Sequence, residues 1–119
     1  MLVRCAKYMG TVAPENQQAF DDYVRNVHLP DVATWPRLQG LRLLKCNNQP
    51  YLGEAPRFYH TFELAFANQA DMDYCMASEA RRLTRKQSAE DIGKFKGLFA
   101  GDVYHVNYEV IDFPTGGRR

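Results

Sequence analysis

From Leu2 to Met9 the residues are mostly apolar, with Arg4 and Lys7 set among them, and Gly10 and Pro14 follow. The pattern predicts a first strand over Leu2 to Met9, closed off by Gly10 and Pro14. Past "TVAPEN" the spacing turns helical. Phe20, Val24 and Val27 share one side with Tyr23 beside them, and Asp21, Asp22 and Arg25 fall on the other. Pro14 and Glu15 suit a first helical turn. Pro30 lacks an N–H, and its ring disfavours helical geometry in Leu29, so the helix is expected to end near His28, with a short second piece reaching Trp35.

"WPRLQG" punctuates the chain, "LRLLKC" (41–46) reads as a short strand, and "NNQPYLGEAP" as a turn-rich connection. In "RFYHTFELAFA", Phe58, His60, Phe62, Leu64 and Phe66 alternate with Tyr59, Thr61, Glu63 and Ala65, which predicts a strand with both faces at least half buried. Asn68, with Asp71 three residues on, marks a helix start, and Met72, Cys75, Met76 and Leu83 form its inward stripe. Ser88 and Asp91 look like a second cap before Ile92, Phe95 and Phe99, so this helical region is expected to break near Gln87. "ARRLTRK" reads as a solvated basic turn. In "GDVYHVNYEVIDF", Tyr104, Val106, Tyr108 and Val110 alternate with Val103, His105, Asn107, Glu109 and Ile111, the pattern of a last strand.

The order strand, helix, strand, strand, helix, strand is the ferredoxin-like βαββαβ arrangement. It implies an α+β fold in which a four-stranded antiparallel sheet carries both helices on one face. The other face would be left bare although the third and fourth strands are apolar on both sides. A second copy of the chain is the simplest cover, giving a homodimer, a dimeric α+β barrel, with a cavity between the sheets or between sheet and helices. Residues 1–113 form the expected domain and 114–119 ("PTGGRR") a tail without core residues.

Composition narrows the function. The chain has 119 residues, 45% of them hydrophobic and 24% charged, which suits one globular domain. A net charge of +1 provides no global field for nucleic acid or an anionic membrane, so neither is an expected partner. No stretch approaches a membrane span, and Arg4 and Lys7 interrupt any secretory pattern, so a cytoplasmic protein is expected. Cys5, Cys46 and Cys75 are widely spaced and fit no metal-ligand pattern; they read as reduced core residues, and no metal is expected. Neither a G-x-G-x-x-G nor a P-loop occurs, so no nucleotide cofactor is indicated.

The segment "FDDYVRNVHLPDVATWPRLQGLRLLKC" resembles the first half of the EthD family of dimeric α+β barrels, through His28 and Pro30 of a His-x-Pro step and through Gly40, Leu41 and Arg42. "FELAFANQADMDYCMASEARRLTRKQSAEDIGKF" is similar to the second half at Ser78, Glu79, Asp91 and Phe95. It departs at Ala77, at Ala80 and Arg81, and in having no proline after Ser78. The resemblance implies a small cofactor-free protein of a catabolic or biosynthetic pathway. Its pocket would take a mostly apolar, oxygenated molecule, with the histidine of the His-x-Pro step near the mouth.

Candidate chemistry follows from residue type. An imidazole both takes and gives a proton near neutral pH, so His28 is the leading acid/base candidate; the alternative is a residue that only stabilises a helix end. His60 lies among bulky apolar residues and reads either as a core histidine or as a second catalytic group. His105 shares the more polar face of its strand with Asn107 and Glu109; it is a substrate-binding candidate and a possible member of the barrel between subunits. Tyr8 could hydrogen-bond a developing enolate or lactone oxygen, while Trp35 and Phe62 would supply apolar walls. Glu63, mid-strand, needs a base such as Arg4 or Arg42. The expected activity is acid/base isomerisation or lyase chemistry on a carbonyl-containing organic acid, lactone or polyketide-like molecule. The alternatives are a binding or accessory protein using the same cavity, and cofactor-independent oxygenation.

Overall fold

A computed structural model describes residues 1–47, 53, 57–95 and 98–117, with 91–95 as backbone only. Four strands, β1 (Leu2–Val12), β2 (Gly40–Lys45), β3 (Phe58–Phe66) and β4 (Phe99–Glu109), form one antiparallel sheet in the order β2-β3-β1-β4. Helices α1 (Gln17–Tyr23) and α2 (Leu29–Val32) lie between β1 and β2, and α3 (Gln69–Met76) and α4 (Glu79–Phe95) between β3 and β4. This is the expected α+β, ferredoxin-like order. No helix among the described residues is long and apolar enough to cross a membrane.

The core lies between sheet and helices, where Ala6, Phe62, Leu64 and Phe66 meet Val32, Met72 and Cys75. Removing each large apolar side chain there from water contributes about 1.5–3 kcal/mol. Asn68 caps α3 as the sequence suggested, its Oδ1 accepting from the Asp71 N–H at 2.9 Å. Glu63 is paired with Arg42, whose Nε donates to it at 2.9 Å.

Five local expectations are corrected. First, β1 does not stop at Gly10. It runs to Val12, and Gly10 pairs with Gly101 so closely that a Cβ on Gly10 would stand 2.1 Å from the Ala100 carbonyl oxygen. The glycine there marks a close strand approach rather than a turn.

Second, Pro30 does not end the first helix. Val24–His28 form a π-helical turn in which the Leu29 N–H bonds to the Val24 carbonyl, and Pro30 opens α2, where a missing N–H costs little. Steps of four residues overshoot an α turn and undershoot a π turn, so the two drifts offset one another. Phe20, Val24, His28 and Val32 therefore point inward together, while Val27, expected in the stripe, is 44% exposed.

Third, the second helical region breaks at Ala77–Ser78 and not near Gln87. The Ser78 hydroxyl accepts from the Arg81 N–H at 3.2 Å, donates to the Cys75 carbonyl at 2.7 Å, and starts α4 in a new phase. Thr84 is consequently buried and Leu83 is 51% exposed, the reverse of the expected stripe. Ser88 lies within α4, and Phe99 begins β4.

Fourth, a bulge at Tyr59 breaks the alternation of β3: Tyr8 faces His60 but Met9 faces Phe58. Phe58 is thereby turned to the face of Lys7, whose ammonium lies 5.9 Å from its ring. Tyr59 packs on Phe20 and donates to the Asp21 carboxylate at 2.7 Å.

Fifth, the last strand ends at Glu109, and Ile111 is exposed beyond it. Most of the turn-rich stretch 47–56 and the side chains of Asp91, Ile92 and Phe95 lie outside the described residues.

Candidate functional site

A cavity of about 320 Å³ opens between the helices and the inner face of the sheet. Its floor is Ala6 and Tyr8 of β1 with Phe62 and Leu64 of β3; Val32 and Trp35 form one wall. Val103 and His105 of β4 close another side, and α4 contributes Arg81, Thr84, Arg85, Ser88 and Ala89. Arg4 and His28 complete it.

His28 reaches this cavity because of the π turn. An uninterrupted α-helix would carry its face further round with each step of four, away from the line of Phe20 and Val24. The helix C-terminus lies beyond His28, at Val32, so His28 does not sit at a helix end. Instead the Ser88 hydroxyl meets His28 Nδ1 at 3.1 Å. A serine hydroxyl donates or accepts. It keeps this contact when Nδ1 carries a proton and when it does not, leaving the other ring nitrogen as base or acid respectively. The His28 ring packs edge-on against Phe62 with centroids 5.6 Å apart.

Tyr8 is central in β1 rather than at its end, opposite His60 and Val103. Burial, and secondarily Tyr23, push its phenol up to about 12, so it stays protonated at neutral pH and able to donate a hydrogen bond. Trp35 is fixed by its indole N–H, which donates to Thr84 Oγ1 at 2.9 Å, and Thr84 in turn donates to the Ala80 carbonyl at 3.1 Å.

The six candidates separate. Tyr8, His28, Trp35, Phe62 and His105 line one cavity, whereas His60 lies beneath it. The His60 ring is 4.3 Å from Tyr8 and stacked on Phe20 at 5.7 Å between centroids. It is 2% exposed, burial lowers its pKa to about 4, and its Nε2 has no hydrogen-bond partner among the described residues. This imidazole is neutral and packs as an aromatic residue. His105 faces the helices, not the bare side of the sheet, and its pKa is lowered by burial and then by Arg4, Arg85 and Arg81.

Ser88, Thr84, Arg81 and Arg85 were missed as site residues. "ARRLTRK" carries no fixed phase of its own, and only the cap at Ser78 decides that positions 81, 84, 85 and 88 point inward. The signal was present in the spacing of "SEARRLTRKQS", where a serine start predicts that face.

No family model matches the chain, and no curated protein matches it. Solved structures do. An EthD family protein from Bacillus halodurans superposes with a TM-score of 0.69 at 22% identity, covering 93% of this chain and 99% of that one. An EthD-like protein from Ralstonia eutropha gives 0.59 at 12%, covering 96% of each. A protein from Nitrosomonas europaea, provisionally named an antibiotic biosynthesis monooxygenase, gives 0.56 at 15%, covering 94% and 100%. At these identities the likeness is one of fold, and the chain has the ferredoxin-like α+β fold that these EthD-type and monooxygenase-type proteins share.

Proposed function

We propose that this protein binds a small, largely apolar carbonyl compound, such as a lactone or polyketide-like intermediate, and moves a proton on it, as an isomerase or lyase needing no cofactor. The observation that supports this is His28, held through Nδ1 by Ser88 beside the apolar surface that Val32, Trp35, Phe62 and Leu64 give the cavity. In this reading His28 takes a proton from carbon beside the carbonyl and returns it to another position. Tyr8, protonated, donates to the oxygen on which charge develops, and Phe62 and Trp35 hold the body of the molecule.

The test is hydrogen–deuterium exchange of a methylmuconolactone in D2O, followed by proton NMR, with Trp35 fluorescence reporting binding. Wild type exchanges the proton beside the carbonyl, and His28→Ala binds without exchanging it. Equal exchange by both proteins would refute the role of His28. Binding without exchange by wild type would favour a second reading, an accessory protein that carries the intermediate. Oxygenation of a phenolic substrate is the third; the likeness to the Nitrosomonas europaea protein favours it.

The outer face of the sheet supports a homodimer. Val3, Cys5, Leu44, Tyr108 and Val110 line a shallow groove on it beside Lys7, Thr61 and the Arg42–Glu63 pair, and Leu44 and Tyr108 are 42% and 44% exposed. A second copy packed there removes this apolar surface from water.

A further inference from the structure

Three cationic side chains meet at one end of the cavity. Arg4 comes from β1 and Arg81 and Arg85 from one face of α4; together they stand around His105 of β4. Three other arginines are paired with carboxylates: Arg37 with Asp71, Arg42 with Glu63 and Arg82 with Glu79. Among the described residues, no carboxylate lines the cavity and none is ion-paired with Arg4, Arg81 or Arg85. Their recorded partners are neutral. Arg4 Nη1 donates to Asn107 Oδ1 at 3.3 Å, and Arg81 Nη1 to the Met76 carbonyl at 2.9 Å.

Gathering like charges beside an apolar wall without an acid is unfavourable. Arg81 is partly desolvated, and its pKa is lowered by burial and then by Arg85 and Arg4. A basic helix face turned wholly to solvent would keep clear of the sheet, whereas Arg81, half-buried, and Arg85, exposed, both line the cavity with Arg4 of β1. The arrangement is relieved when an anion enters, and guanidinium forks suit the two oxygens of a carboxylate.

We propose that Arg4, Arg81 and Arg85 form a carboxylate-binding subsite, so that the ligand is an organic acid with its anionic end among the arginines and its apolar or aromatic body against Phe62, Tyr8 and Trp35. This rests on the reading that the cavity takes a small molecule, and it fixes the ligand's orientation within it. An acid anchored at the arginine end places its apolar body along the wall that carries His28.

Isothermal titration calorimetry with 2-naphthoate and its neutral counterpart 2-naphthylmethanol tests the proposal on wild type, Arg85→Gln and Arg4→Gln. Wild type should bind the naphthoate roughly tenfold more tightly than the alcohol. Each variant should weaken naphthoate about three- to tenfold and leave the alcohol unchanged. Arg85 is exposed, so Arg85→Gln carries the test even if Arg4→Gln disturbs β1. Equal binding of the two probes by wild type, or unchanged naphthoate binding in both variants, overturns the subsite while leaving the cavity reading intact. Inorganic phosphate displacing naphthoate at equal concentration overturns it too, because the arginines would then be a plain anion patch. Failure of both probes to bind overturns the subsite together with the small-molecule reading.

Discussion

His60 makes the stability of this protein depend on pH in a way that can be isolated. In the unfolded chain an imidazole takes up a proton near pH 6.5, whereas in the folded protein burial delays this to about pH 4. Below pH 6.5 the unfolded state therefore binds more protons than the folded one, and stability falls as pH falls. The contribution is complete above pH 6.5, declines by about 1.4 kcal/mol per pH unit, and is exhausted near pH 4; the gap is worth about 3 kcal/mol. Burial outweighs the attraction of Asp21, with Lys45 and His28 opposing the charge as well; the ring stacks on Phe20, touches Tyr8, and its Nε2 has no hydrogen-bond partner among the described residues. His60→Phe keeps an aromatic ring in the same surroundings and removes the titration, and His60→Leu removes it without a ring. Urea unfolding followed by Trp35 fluorescence at several pH values and one protein concentration gives the free energies. Between pH 6.5 and 4.5 wild type should lose roughly 2–3 kcal/mol more than either variant. Parallel curves for all three proteins would refute the reasoning, since they would mean that the folded chain protonates His60 as readily as the unfolded one.

Further outcomes follow from other contacts. Ser88→Ala should slow proton exchange by about 5- to 30-fold while leaving probe affinity within about twofold, and Ser88→Thr should restore part of the rate; an equal loss of binding in Ser88→Ala would make Ser88 a packing residue instead. Gly101→Ala should destabilise by about 2–4 kcal/mol in urea unfolding, because its Cβ would stand 2.1 Å from the Met9 carbonyl oxygen, whereas Gly40→Ala, with 3.6 Å to the Ala65 Cβ, should change stability by less than about 1 kcal/mol. If a second copy covers the outer sheet face, Tyr108→Glu should shift sedimentation from dimer to monomer at micromolar concentration, and a wild-type monomer under the same conditions would refute that cover.

Much of the fold was legible because two periodicities alternate cleanly. The two-residue repeat of His60, Phe62, Leu64 and Phe66 fixed the inner face of β3, and the Asn68 cap fixed the start of α3. Where the reading failed, a local event had reset the phase. The π turn rotated His28 inward and Val27 outward, the bulge at Tyr59 exchanged the faces of Tyr59 and Phe58, and the Ser78 cap set which side of α4 faces the sheet. None of these changes the composition of its segment, so periodicity counted across it misplaces the residues beyond.

By itself, then, the sequence determined the element order, the antiparallel sheet and the residue types able to do acid/base work, because those depend on local propensity and the spacing of apolar positions. Only the tertiary structure decided that His28 and His105 line the cavity and His60 does not. It buried His60 among aromatic rings, set His28 against Ser88 sixty positions away, and brought Arg4 of β1 to the arginines of α4. Those juxtapositions arise from the order in which strands pair and helices cross the sheet. Proximity through such crossings leaves no trace in the spacing of residues along the chain.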